Sequence, residues 1–255
     1  MLTASLYGLI SGSALFIGAL IGLYLAVPRS ISAIIMSFGS GVLVSALSFD
    51  LMERAFQTGS FYSVAIGFTV GTLLFVLGDY FIDSFGGHHR KRIHGKKHAL
   101  KNGSLKEAQA SSSGYAIFLG ALLDGIPESL AIGVGLAAGQ GMGLSMMIAV
   151  LLSNLPEGIS GSQAMRNTGR SKLYVMAVWG VTIITSAGAA AIGFTTLGQS
   201  SHEIVAVTLA LAAGAILAMI ADTMIPEAFE EGGRFVALAT ALGFLLAFIV
   251  SHLAR

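Results

Sequence analysis

Two segments near the middle of the chain place carboxylates deep inside apolar stretches long enough to cross a bilayer. They read Asp124-Gly125-Ile126-Pro127-Glu128 and Ser153-Asn154-Leu155-Pro156-Glu157. An acid at membrane depth costs about 2.5–3.5 kcal/mol on insertion scales, so Asp124, Glu128 and Glu157 together would cost roughly 7–10 kcal/mol without compensation. A fold that keeps them must turn them away from lipid and give them a counter-charge. A divalent cation is the simplest one.

Apolar runs of spanning length occur eight times, at about Thr3–Val27, Ile31–Glu53, Phe61–Ile82, Tyr115–Ala138, Met142–Gln163, Leu173–Leu197, Ile204–Ile225 and Phe235–Leu253. They are continuous and glycine-broken rather than alternating, which argues for helices over a β-barrel. Only 11% of the 255 residues are charged, against about 25% in soluble domains. The chain therefore reads as an all-α, polytopic membrane protein in the lipid bilayer of the cell membrane. With no cysteine, disulfides and thiolate metal sites are excluded. The net charge of +1 gives no case for nucleic acid, because the basic residues sit between spans. The first run lacks a basic leader and is too long for a signal-peptide core, so it is expected to stay as a span.

Lysine and arginine set the orientation. With the N-terminus outside, twelve of the fourteen fall in inner loops, and only Arg54 and Arg255 fall outside. Both termini are thus expected to be non-cytoplasmic. The inner residues are Arg29, seven between spans 3 and 4 (Arg90, Lys91, Arg92, Lys96, Lys97, Lys101, Lys106), Arg166, Arg170, Lys172 and Arg234. Three segments follow: residues 1–85 with spans 1–3, a flexible cytoplasmic His/Lys-rich loop at 86–113, and residues 114–255 with spans 4–8, all in one membrane domain. The loop holds four of the six histidines, His88, His89, His94 and His98, and is expected to be a solvated linker.

The acidic signature recurs on spans 2 and 7, as Asp50-Leu-Met-Glu53-Arg-Ala-Phe56 and Asp222-Thr-Met-Ile-Pro-Glu227-Ala-Phe229. Span 2 runs outward and span 7 inward. An inverted repeat of helices 1–3 and 6–8 around helices 4–5 would place one copy of the motif near each surface. Asp50 and Glu53 would then gather cations outside, and Asp222 and Glu227, with Glu230 and Glu231, would receive them inside. Asp79 and Asp83 fall at the inner end of span 3 and are expected at the interface.

Asp124 and Glu128 are spaced i, i+4 and share a helix face, as do Ser153 and Glu157. Two facing helices can therefore present Asp124, Glu128 and Glu157 to one ion, with Ser153 and Asn154 as further oxygen donors. Pro127 and Pro156 free the carbonyls of Leu123 and Leu152 for the site or for a kink. Close carboxylates cannot all ionise unaided, so metal binding is expected to release protons. An all-oxygen set suits magnesium, manganese or iron(II), and zinc also accepts carboxylates.

These residues resemble the ZIP (Zrt-/Irt-like protein) family of metal transporters over nearly the whole chain. Ser153-Asn154-Leu155-Pro156-Glu157-Gly158 is the closest match to that family's His-Asn-x-Pro-Glu-Gly type motif, and Asp124-Gly125-Ile126-Pro127-Glu128-Ser129 is a looser one. The resemblance implies eight spans, outside termini, a histidine-containing loop between spans 3 and 4, and alternating access towards the cytoplasm, often as a homodimer. It makes Glu128 and Glu157 metal ligands. Asp124 and Ser153 stand where the family usually has histidine, and Gly125 where asparagine is usual, while Asn154 is kept. Span 6 has no acid, so one main ion is expected. The transported substrate would be a divalent metal ion such as Zn, Mn, Fe(II) or Cd.

Three other readings fit parts of the pattern. Protonated acids could glue helices together, although three of them beside two prolines is a costly way to pack. A metal-selective cation channel would use the same acids. Gly158-Ile159-Ser160-Gly161 resembles the nucleophile motif of an intramembrane serine protease, but His202 and His252 lie near the other surface. A transporter rather than an enzyme is the reading that uses all the acids.

Overall fold

The computed structural model describes residues 1–25, 27–84, 103–139 and 141–253. All eight expected spans form as helices: α1 Leu2–Tyr24, α2 Arg29–Thr58, α3 Phe61–Ser84, α4 Gly103–Ala138, α5 Met142–Asn167, α6 Lys172–Leu197, α7 His202–Gly232 and α8 Phe235–Leu253. Each is long and apolar enough to cross a membrane, and no strand occurs among the described residues. α4 begins at Gly103, inside the segment expected as a loop. The four loop histidines lie outside the described residues.

Burial sorts the helices into two classes. The apolar stretches of α2, α4, α5 and α7 are 61–67% buried, those of α1, α3, α6 and α8 only 22–39%. The helices that carry the acidic motifs are thus the central ones. The peripheral helices turn rows of large apolar side chains outward, such as Ile66, Val70, Leu73, Leu74 and Leu77 on α3 and Leu238, Leu242, Leu245 and Ile249 on α8. Rows of this kind suit hydrocarbon and would be a liability in water.

Packing also divides the helices into two groups. α1, α4, α5 and α6 pack on one another, and so do α2, α3, α7 and α8; the groups meet mainly where α2 lies on α5 and α4 on α7. Reciprocal glycines draw the pairs together. A Cβ on Gly18 of α1 would strike the Leu155 carbonyl of α5, and one on Gly158 of α5 the Leu15 carbonyl of α1. Gly133 with Gly193 does the same for α4 and α6, Gly41 with Gly243 for α2 and α8, and Gly71 with Gly214 for α3 and α7. Small residues allow this approach where no hydrophobic force drives helices together. Gly8 and Gly12 likewise meet α6, Gly67 and Gly71 meet α7, and Gly135 meets Gly143 of α5. Gly139 is different: its φ is +76° and its missing Cβ faces open space, so it serves the turn between α4 and α5.

Both α2 and α7 loosen into a π-helical stretch at their acidic motif, Leu47–Met52 around Asp50 and Ile220–Met224 around Asp222. A third π-helical stretch, Gly193–Leu197, ends α6. Such bulges are frequent at functional sites.

A side chain at Gly71 must push α3 off α7, whereas Gly188 faces open space. Gly71→Leu is expected to lower the melting temperature in detergent by about 5 °C or more, on an overpacking cost of about 1–3 kcal/mol. Gly188→Leu should melt like the parent. Equal melting of both variants would contradict the packing.

Candidate metal site and its vestibule

A cavity of about 340 Å³ opens at the end of the bundle where α2 begins and α5 ends, with Arg29 and Asn167 on its wall. This is the end that carries the basic loops. The cavity lies between the two helix groups. α2 and α7 supply Arg29, Met36, Asp222 and Glu227; α4 and α5 supply Asp124, Glu157 and Ser160. Helix length places the mouth and floor. Asp124 and Glu157 lie several turns from the Arg29 end, while Glu230 and Glu231 close α7 beside it. Arg29 and Glu231 pair there at 3.7 Å, and Arg29 is largely exposed.

Glu128 sits one helical turn beyond Asp124, 2% exposed and off the cavity wall. Its Oε2 is buried and accepts no hydrogen bond. The charges of Glu157 and Asp124 both act on it. The structure therefore brings the three central acids within electrostatic reach of one another. Among the described residues, no three His, Cys, Asp or Glu side chains form a ready-made metal cage. The arrangement is an acid-floored cavity with a further carboxylate behind it. A buried acceptor without a protein donor is rare in folded proteins, and such an oxygen suits a proton or a cation as its partner.

Ser153 and Asn154 are also buried and off the wall. Ser153 Oγ donates to the Val150 carbonyl at 3.0 Å. Asn154 Nδ2 donates to the Ser11 carbonyl of α1 at 3.1 Å, which ties α5 to α1. Both keep an oxygen that can accept. Helices α4 and α5 continue through Pro127 and Pro156. The Leu152 carbonyl lies towards α2, where only a glycine, Gly39, fits against the α5 backbone.

The outlying acids divide. Asp222 and Glu227 are exposed on the cavity wall. Asp50 is buried: Ser145 Oγ donates to its Oδ2 and Ser251 Oγ to its Oδ1, each at 2.7 Å. Glu53 accepts from Gln57 Nε2 at 3.1 Å on the surface. Neither Asp50 nor Glu53 reaches the cavity. Asp79 is buried within the bundle. Ser160 lines the cavity and donates to the Glu157 carbonyl at 3.3 Å. His202 opens α7 and His252 ends the described side chains of α8; neither lines the cavity. Sequence reasoning counted Arg29 only as an orientation charge. Its pairing with Glu231 on the wall of an acidic cavity needed the packing of α2 on α7.

A protein of Arabidopsis thaliana named "Putative zinc transporter" is similar to this chain, 23% identical over 232 residues that make up 90% of it. The chain spans about a third of that relative's length, 35%. No protein-family model matches the chain.

Glu128→Gln keeps the shape of the side chain and takes away its ability to carry a charge beside Asp124 and Glu157. In chelator the variant is expected to melt at or above the parent temperature, on a gain of about 1–3 kcal/mol. A fall of several degrees would mean that the ionised or protonated acid itself holds the helices together.

Proposed function

We propose that the protein carries divalent metal ions across the membrane, through the carboxylates of α4 and α5, towards the end that bears the basic loops. The observation that carries this reading is the floor of the cavity. Asp124 and Glu157 both line it in the interior of a bundle built for lipid, with the buried Oε2 of Glu128, which has no hydrogen-bond donor, one turn beyond Asp124. A cation crossing hydrocarbon needs oxygen ligands that replace its water, and this is where they stand. Asp124, Glu128 and Glu157 bind the ion directly. Ser153 and Asn154 lend oxygen when the helices shift. Asp222 and Glu227 receive the ion on its way out. The K/R count makes that exit cytoplasmic and both termini external.

The resemblance to ZIP transporters and the plant relative named as a zinc transporter support the same class of cargo. The paired packing of α2 with α8 and of α3 with α7 supports the inverted repeat. Exchange of 1 with 6, 2 with 7, 3 with 8 and 4 with 5 maps each contact on the other. Relative motion of the two helix groups then gives alternating access. Arg29 offers a tethered positive charge to the mouth acids, so metal leaves them readily.

Uptake into proteoliposomes tests the assignment, with Zn, Mn, Fe(II), Cd and Mg offered separately. Saturable uptake of one or more of these is expected. Glu128→Ala and Glu157→Ala should each lower it at least about tenfold, the loss of roughly 1.4 kcal/mol or more of differential binding. Undiminished flux in both variants would refute the site. Non-saturating flux at channel rates would favour a selective pore through the same acids.

A further inference from the structure

At the end opposite the cavity, a single turn of α2 grips both sides of the α4–α5 hairpin. Arg54 Nη2 donates to the Ala138 carbonyl, the last residue of α4, at 3.1 Å. Asp50, one turn earlier, accepts from Ser145 in the first turn of α5 at 2.7 Å. The i, i+4 spacing puts both groups on one face of α2. The hairpin between them is sharp, with Gly139 and Gly141 at φ +76° and +74°. Each contact joins unlike charge or dipole. A guanidinium meets the negative end of a helix, and a carboxylate meets a hydroxyl donor, a charge-assisted bond.

Both bonds cross between the two helix groups, α2 belonging to one and the α4–α5 hairpin to the other. At the basic end the same two groups stand apart around the cavity. The protein is thus held shut at one end and open at the other. Ser251 donates to the remaining oxygen of Asp50, but α8 and α2 lie in the same group. That bond aims Asp50 without joining the groups.

We propose that Asp50 and Arg54 form a clasp on Ser145 and Ala138 that closes the outer face while the vestibule is open inward. This rests on the transport reading above for its purpose. It also replaces ion gathering as the role of Asp50. The clasp must break for the outer face to open, so its strength sets how the two states are populated. Asp50 and Arg54 are positioning residues in this scheme, not ligands.

The chain has no cysteine, so paired spin labels can be attached cleanly at Gln57→Cys and Leu144→Cys. Both sites are exposed, on either side of the clasp. Double electron–electron resonance in nanodiscs without metal should give one short distance for the labelled parent. Ser145→Ala and Arg54→Gln should each raise a longer-distance population about tenfold, as expected for loss of a hydrogen bond to a charged group. Ser251→Ala, which removes a bond of similar geometry inside one group, should keep the parent distribution. An unchanged distribution in Ser145→Ala and Arg54→Gln would overturn the clasp. Equal broadening in all three variants would overturn it too, since it would mark general loosening. The readout needs no metal, so a failed clasp and a failed transport reading are told apart: the first shows in the distances, the second in the proteoliposome flux.

Discussion

Acidic side chains in a hydrocarbon setting are the constraint on which the rest of the molecule depends. A carboxylate buried without a partner is among the most costly groups a fold can hold. The architecture answers by depth and by layering. Helices α2, α4, α5 and α7 carry most of the acids and sit in the middle, while α1, α3, α6 and α8 screen them with apolar rows. Partners are then distributed unevenly. Asp50 receives two hydroxyls, Asp222 and Glu227 face the cavity, and Glu128 keeps an oxygen with no donor. That oxygen lies one helical turn from Asp124, which is on the cavity wall.

Glycine makes that layering possible without binding the layers rigidly. Four helix pairs approach backbone to backbone through reciprocal glycines. Each of these pairs lies inside one of the two groups, so the close packing stiffens each group internally. Between the groups no such reciprocal pair occurs among the described residues, although Gly39 of α2 also lies against the α5 backbone. The groups meet mainly where α2 lies on α5 and α4 on α7, with a cavity at one end and hydrogen bonds at the other. Bodies that are tight inside and loosely joined outside are suited to hinge or shear motion. The π-helical stretches fall on α2 and α7, at Asp50, which bonds to α5, and at Asp222, which lines the cavity.

Much of this was legible in the linear chain. Eight apolar runs gave eight helices, with ends within a few residues for most of them, because length and hydropathy are local properties. The four spans with acidic signatures proved to be the four central helices, because acids are kept from lipid; Asp79, on the peripheral α3, is buried as well. The i, i+4 spacing of Asp124 and Glu128 follows from helix geometry, whereas the place of Glu157 beside them depends on how α5 packs on α4. Other features did not follow. Asn154 spends its amide on α1, and the oxygens of Asp50 are taken up by Ser145 and Ser251, 95 and 201 residues away. Nothing local announces such partners.

The sequence by itself determined that this chain is a bundle of membrane-crossing helices with acids on its interior members, since hydropathy and helical period act residue by residue. Tertiary packing decided which acids face open space and which are held by hydroxyls, and which end of the bundle is open. Those outcomes depend on the angle and register at which distant helices meet, set by glycine contacts between segments far apart in the chain.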